Sequence, residues 1–177
     1  RQRRPAPAVV ILDNDECLGS FGLMGEFYCL TMAWLWRHHG GDRRAVRRDW
    51  ERLGPELVHC CAEVMRRGVL RPGMVEVLRT LRNLRDDGMV QAVVMYTSAS
   101  DRCWACRDCP ARLDPDGRWC GYVRHFLRHC IEAAAETPGL YAAVLHRDNV
   151  RADVTSEGAT VKDFANVLER LGLPADC

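Results

Sequence analysis

The feature that most constrains this chain is a short apolar run that ends in two closely spaced carboxylates. Residues 9–12 read Val-Val-Ile-Leu, and Asp13 and Asp15 follow. A continuous apolar run, unlike an alternating one, is typical of a strand that is buried on both faces in a parallel sheet. Because ligands bind beyond the carboxyl ends of parallel strands, the two carboxylates predict a functional site at this point.

The rest of the chain alternates between helical and strand-like patterns, as a parallel sheet requires. Apolar residues at helical spacing begin near Met24, where Phe27, Trp34 and Leu35 form the first stripe. Further strands are predicted at 89–96 and 141–145, and further helices at 122–135 and 161–171. Another helix is predicted between the Arg-Pro-Gly at 71–73 and the Asp-Asp-Gly at 86–88, with Val77, Leu78, Leu81 and Leu84 as its apolar face. The alternation predicts an α/β fold with a three-layer, Rossmann-like parallel sheet.

Length and composition predict one domain with two embellishments. The 177 residues are 47% hydrophobic, enough for one core, and we assign the domain to 8–177, a helical cap-like insert to 24–68 and a Cys-rich loop to 101–120. The net charge of +1 gives no indication of nucleic-acid binding. No apolar run reaches the roughly 18 to 20 residues that span a bilayer, and no signal-type segment opens the chain. We therefore expect a soluble intracellular protein, cytoplasmic or nuclear, with no membrane partner.

Hydroxyl side chains follow the second strand at the same predicted edge, at Thr97 and Ser98. Two close carboxylates cannot both stay charged in a dry pocket without a cation or a shared proton, and Mg²⁺ on Asp13 and a backbone carbonyl resolves the conflict. A carboxylate can accept a phosphoryl group while its neighbour moves the proton. Lys162 is the only lysine among 25 basic residues and opens a predicted helix, where its compact charge suits a phosphoryl group.

Four segments, in this order, resemble the haloacid dehalogenase (HAD) superfamily. ILDNDECLGSF resembles its opening DxDx(T/V) motif, and DNDECL is most similar to the DLDETL of the CTD-phosphatase-like, or NLI-interacting-factor-like, branch. The branch also has an RPG before a helix, as at 71–73, and a strand ending in TAS, similar to YTSAS at 96–100. Its later arginine and lysine-aspartate pair are similar to HRDNV and VKDF.

The resemblance implies a Mg²⁺-dependent phosphatase that works through an aspartyl-phosphate, with a phosphoprotein (Ser/Thr) as substrate. The residues to which it gives roles are Asp13 as nucleophile and Mg²⁺ ligand, Asp15 as general acid/base and Mg²⁺ ligand through its carbonyl, Thr97 and Ser98 around the phosphoryl oxygens, Lys162 beside the phosphoaspartate, and Arg147 on the substrate side. The residues alone indicate the same positions except Arg147.

The chain departs from this branch in three places. Cys17 replaces the usual threonine or valine and is expected to pack as a small hydrophobe. The insert is larger than usual and lies where caps are placed, which favours a small-metabolite phosphatase as one alternative. HAD enzymes place a further pair of acidic residues after one more strand, and these residues complete the metal site. No such pair occurs before Cys177, so we expect a fragment in which the edge of the first strand is left uncovered by the missing strand. A non-catalytic interaction domain with the same fold is the other alternative.

The ten cysteines are scattered, which argues against an extracellular disulfide framework. Four of them have the spacing C-x2-C-x2-C-x10-C: Cys103, Cys106, Cys109 and Cys120. Four thiolates at short spacing suit a structural tetrahedral zinc that would order this loop, with free thiols or a disulfide as alternatives.

Overall fold

The computed structural model describes residues 8–14, 17–101, 119–146, 153–154, 160–161 and 164–172. Three parallel strands form its main sheet in the order β1 (Ala8–Asp13), β2 (Val90–Tyr96) and β3 (Ala143–Leu145). The predicted α/β class is therefore confirmed at the level of a mixed fold with a three-stranded parallel sheet. The third strand is shorter than predicted, beginning at Ala143 rather than Tyr141.

Helices connect the strands. Those between β1 and β2 are α1 (Gly22–His38), α2 (Arg43–Val64), the π-helical turn π1 (Met65–Val69) and α3 (Met74–Asp86). Between β2 and β3 the π-helical turn π2 (Tyr122–Leu127) runs directly into α4 (Arg128–Ala135), and α5 (Phe164–Arg170) follows later. The two long helices α1 and α2 lie within the predicted insert, whose role as a cap stays a prediction.

The sheet separates two apolar clusters. Val93 and Met95 of β2 belong to the larger one, formed with the helices α1 to α4, whereas Val94 and Tyr96 belong to a smaller one with Val167 of α5. Successive strand residues point to opposite faces, so both faces of β2 are covered by apolar side chains. This double burial explains why the strand reads as a nearly continuous apolar run.

The predicted helix α1 is found, but its buried face differs from the predicted stripe. Phe27 and Trp34 are 39% and 57% exposed, whereas Tyr28 and Met32 are completely buried. The helix is apolar around most of its circumference, so spacing alone did not identify the face that packs. In α3, Val77 and Leu78 were both predicted to face the core, but Val77 is exposed and only Leu78 of the two is buried.

Arginines of π1 and α3 bind the carboxyl-terminal end of α4. Arg66 donates to the carbonyl oxygens of Ala134 (2.8 Å) and Ala133 (3.0 Å), and Arg79 donates to that of Ala135 (3.1 Å). The last carbonyls of a helix have no partner within it, and cationic donors there also complement the helix dipole. These two arginines therefore have a structural role: they join π1 and α3 to the end of α4.

The region before the last helix differs from its prediction. Val161 belongs to a short antiparallel pair, β4 (Asp153–Val154) with β5 (Thr160–Val161), and the helix begins at Phe164. The predicted start at Val161 is wrong because a β-branched Thr-Val pair favours a strand. Among the described residues, no helix has both the length and the apolar character to cross a membrane.

Candidate active site at the carboxyl edge of the sheet

The parallel register brings the predicted catalytic groups to one edge of the sheet. Asp13 pairs with Tyr96, which in turn pairs with Leu145, so the three strands end level with one another. The chain continues this pairing past the strands, with Asn14 N–H donating to the carbonyl of Tyr96 (3.0 Å). Asp13 and Thr97 therefore emerge from neighbouring strands at the same edge, as the sequence predicted.

Thr97 is held at this edge from two directions. Its N–H donates to the carbonyl oxygen of Leu145 (2.9 Å), and its hydroxyl oxygen accepts from the N–H of Ala99 (3.0 Å). The residue is 1% exposed, whereas the following Ser98 is exposed and Asp13 is half-buried. The local turn thus fixes the oxygen of Thr97 at this edge of the sheet.

Asp101 anchors the loop that follows Thr97. Its carboxylate accepts from the N–H groups of Val123 (2.7 Å) and Arg124 (3.0 Å) and from the side chain of Arg124 (2.6 Å), and its carbonyl accepts from Tyr122 N–H (3.0 Å). The first N–H groups of a helix have no partner within it, and a carboxylate there also complements the helix dipole. Asp101 therefore joins the end of β2 to the start of π2.

Gly121 makes room for this anchor. A side-chain carbon added at Gly121 would lie 2.0 Å from a carboxylate oxygen of Asp101, far inside van der Waals contact. The backbone of Gly121 has φ −69°, which any residue can adopt, so the requirement for glycine is steric. The close approach of the two residues explains why an apolar segment that begins at Tyr122 is preceded by glycine.

His146 reaches the same corner from β3. It directly follows Leu145 and is 3% exposed, and its Nε2 lies 3.9 Å from a carboxylate oxygen of Asp101. The separation is longer than a hydrogen bond. A buried carboxylate, a buried imidazole and the partly exposed guanidinium of Arg124 therefore meet beside the loop that carries Thr97.

Asn14 occupies the corresponding corner at the end of β1. Its side chain is completely buried, and neither its amide nitrogen nor its amide oxygen has a hydrogen-bond partner among the residues that the structure describes. Leaving a buried polar group unpaired costs about 1–3 kcal/mol, so an amide that stayed unpaired would oppose folding. It is adjacent in the chain to the predicted nucleophile Asp13.

Several predicted site residues lie outside the described residues. They are Asp15, Arg147 and Lys162, together with Cys103, Cys106 and Cys109 of the predicted zinc site. Whether Lys162 reaches the edge that carries Asp13 and Thr97 therefore stays a prediction. Within the described ranges there is no group of three or more histidine, cysteine, aspartate or glutamate side chains that would suit a metal ion.

The two described cysteines with predicted roles have different environments. Cys120 is 1% exposed and belongs to the larger apolar cluster. Cys17 is exposed, so its predicted packing as a small hydrophobe is wrong. The chain leaves β1 at Asp13, and it is Leu18, at 1% exposed, that returns to the core after the turn.

Asp101, His146 and Asn14 were not predicted as site residues. Asp101 and His146 each lie within five residues of the end of a predicted strand, which is the signal that identified Thr97. The resemblance drew attention to the neighbouring Arg147 instead of His146. Comparison with known proteins gives no further guidance, because no family model, no curated protein and no solved structure matches the chain.

Proposed function

We propose that this chain is a phosphatase domain of the HAD type, with a Rossmann-like sheet, that hydrolyses phosphomonoesters through an aspartyl-phosphate. The observation that supports the proposal best is the register that places Asp13 and Thr97 at the carboxyl ends of adjacent parallel strands. That edge is where open α/β sheets bind ligands. The preferred substrate class is a phosphoprotein carrying phosphoserine or phosphothreonine.

The donor set suits Mg²⁺ in kind. Hard divalent cations take oxygen ligands, and the Asp13 carboxylate stands half-buried at the edge, where solvent and substrate can complete the coordination. Asp13 and the backbone carbonyl of Asp15 would hold the ion, which when bound would neutralise charge on the phosphoryl group. The buried amide oxygen of Asn14 is a further oxygen donor close to Asp13 in the chain.

In the proposed reaction a carboxylate oxygen of Asp13 attacks phosphorus and displaces the alcohol. Asp15 gives its proton to the leaving oxygen and then takes one from the water that hydrolyses the acyl phosphate, so the carboxylate of Asp13 is regenerated. The hydroxyl of Thr97 donates to a phosphoryl oxygen, and the amine of Lys162 offsets the charge that develops there. Asp101 and His146 do not touch the substrate in this scheme; they keep the Thr97 loop in place.

Hydrolysis of a generic aryl phosphate, with and without Mg²⁺, tests the proposal. Asp13→Asn removes the nucleophile, so we expect turnover to fall at least about a thousandfold, whereas the exposed Asp87→Asn should retain it. The assay is run on this chain and on a version extended past Cys177, because the resemblance predicts further metal-binding carboxylates there. Mass spectrometry of acid-quenched protein should show a phosphoryl group on Asp13.

Inactivity of both versions, with no phosphoryl adduct, would favour the interaction-domain alternative. Activity restricted to small phosphorylated metabolites, with none on phosphopeptides, would instead favour the small-metabolite alternative. Both outcomes contradict the phosphoprotein proposal in different ways, and comparing phosphopeptide with metabolite substrates separates them.

A further inference from the structure

A groove lies on the helical side of the molecule, between α2 and the π2–α4 helix. It has a volume of about 630 Å³, which is typical of small-ligand sites. Its apolar walls include the side chains of Trp50, Trp119 and Pro55. None of the residues placed in the candidate active site lines it, so the groove requires an explanation of its own.

Three of the side chains that line the groove are carboxylates. Glu51, Glu132 and Glu136 line it together with two histidines, and no arginine or lysine is among the described lining residues. Glu132 is 3% exposed, and although burial alone would raise its pKa, its bonds with His129, Arg128 and backbone N–H groups lower the pKa. It therefore stays ionised beneath the groove at neutral pH. Carboxylates beside indole faces are the usual environment of an organic cation.

All three carboxylates already have arginine partners. Arg128 holds the buried Glu132 (3.2 Å), whereas the pairs of Glu51 and Glu136 are exposed and weak. Glu51 meets Arg47 at 2.7 Å and Glu136 meets Arg79 at 2.6 Å, and all four side chains are at least 45% exposed. Exposed ion pairs contribute only about 0–1 kcal/mol, so a bound cation can take over the carboxylates at little cost. Neither arginine lines the groove.

Pro55 adds a backbone acceptor to the same wall. It lies inside α2 and has no N–H, so the carbonyl oxygen of Glu51, four residues earlier, lacks the helical hydrogen bond it would otherwise accept. Glu51 and Pro55 both line the groove, so the carboxylate of Glu51 and the carbonyl to which Pro55 cannot donate belong to the same residue of this wall. A guanidinium group has five donors in a planar fork and stacks on aromatic faces, which fits this combination better than a compact ammonium does.

We propose that the groove binds the side chain of an arginine presented by a partner peptide, with the stem against Trp50 and Trp119 and the guanidinium at Glu51 and Glu136. This site is separate from the proposed phosphatase site and does not depend on it. It would let the chain hold a basic segment of a protein regardless of whether that protein is a substrate.

Isothermal titration with a short alanine-glycine peptide that carries one arginine tests the proposal. The same peptide with citrulline, which is isosteric but uncharged, should bind at least about tenfold more weakly, and added salt should weaken the arginine peptide. Agmatine serves as the free small cation and should bind more weakly than the peptide. Agmatine that binds as tightly as the peptide would overturn the assignment to a peptide partner.

Matched variants locate the site. Glu51→Gln and Pro55→Ala should each weaken the arginine peptide about threefold to tenfold, because each removes an acceptor. Glu56→Gln, on the exposed side of the same helix, should leave binding unchanged. Trp119→Leu should also weaken binding, and the exposed Trp34→Leu should not. Equal affinity for the citrulline peptide, equal losses in the two glutamate variants, or no detectable binding of the arginine peptide would each overturn the proposal.

Discussion

The ends of β1 and β2 lie side by side, yet they bury polar side chains in opposite circumstances. At the end of β2 the carboxylate of Asp101 accepts three hydrogen bonds and lies 3.9 Å from His146. At the end of β1 the side-chain amide of Asn14 is equally buried and has no hydrogen-bond partner within the described part of the chain. The carboxylate of Asp101 therefore stabilises its corner, whereas the unpaired amide of Asn14 destabilises the other.

This difference separates two uses of a buried polar group. The Asp101 corner connects β2 to π2 and fixes the loop that carries Thr97, so its role is structural and its removal should cost stability. The side-chain amide of Asn14, unlike its backbone N–H, makes no hydrogen bond with the described residues, so it is suited to a group from outside them. Measurements of unfolding should therefore give opposite signs at the two corners.

The largest effect is expected for Asp101→Ala. The substitution leaves the guanidinium of Arg124 and two N–H groups of π2 without their acceptor, and we expect a loss of about 3–5 kcal/mol in the free energy of unfolding. Urea denaturation followed by circular dichroism measures it. Asp87→Ala, at an exposed aspartate, should change stability by less than about 0.5 kcal/mol. A loss below about 1 kcal/mol at Asp101 would show that the corner does not anchor the fold.

Gly121→Ala should have the next largest effect, a loss of about 2 kcal/mol, because the new methyl group must displace the carboxylate of Asp101. The same substitution at Gly22, where an added carbon meets nothing within 4 Å, should be neutral or slightly stabilising. Combining Gly121→Ala with Asp101→Ala should cost clearly less than the sum of the two, because the steric conflict is then gone. Strictly additive losses would contradict the proposed contact.

The comparison also shows which parts of the site were accessible from sequence. Asp13 and Thr97 were predictable because the end of a buried strand is visible as the last residue of an apolar run, and parallel ends meet at one edge. The role of Asp101 was not predictable, since its partners at 122–124 lie more than 20 residues away and are brought near only by tertiary folding. The local sequence pattern does not indicate a contact between residues so far apart in the chain.

The fold shows the same division. The continuous apolar runs of β1 and β2 identified both strands, and β2 is largely buried, as such a run predicts. The predicted burial of β1 on both faces is wrong, because Ala8 is exposed and residues 9–13 are only half-buried. For α1 the pattern predicted a helix but not its orientation, since Leu23 and Leu30 remain 73% and 66% exposed although they are as apolar as the buried Met32. The packed face was decided by the aromatic contacts of Tyr28 with Trp50 and Phe126, which lie on other helices.

Asn14→Leu should change stability in the opposite direction, with a gain of about 1 kcal/mol. Leucine has the same branched arrangement of side-chain heavy atoms, has no polar atom to leave unpaired, and is the residue at this position in the DLDETL motif that the segment resembles. Thermal and urea unfolding of the variant measure the gain. A clear loss of stability would show that the amide has a partner in solution, and the contrast between the two corners would then disappear.

The smallest effect concerns Glu132, a partnered carboxylate away from the sheet edge. Burial would raise its pKa, but the nearby imidazole of His129 (3.7 Å), the charge of Arg128 and the N–H groups of Tyr141 and Gly139 lower it overall. A pKa that is lower in the folded state means that Glu132 stabilises the fold at pH values above its unfolded pKa of about 4.3. This contribution is lost as the pH falls through the pKa of the folded state.

Glu132→Gln keeps an acceptor for Tyr141 but cannot titrate, so the stability of this variant should fall less steeply in acid than that of the parent chain. Glu56→Gln, at an exposed position, should keep the parent's acid dependence. If the acid limbs of the stability-versus-pH curves of Glu132→Gln and the parent chain coincide, the partners of Glu132 do not favour its charged form. Of the two buried carboxylates, only Asp101 would then be stabilised by its partners.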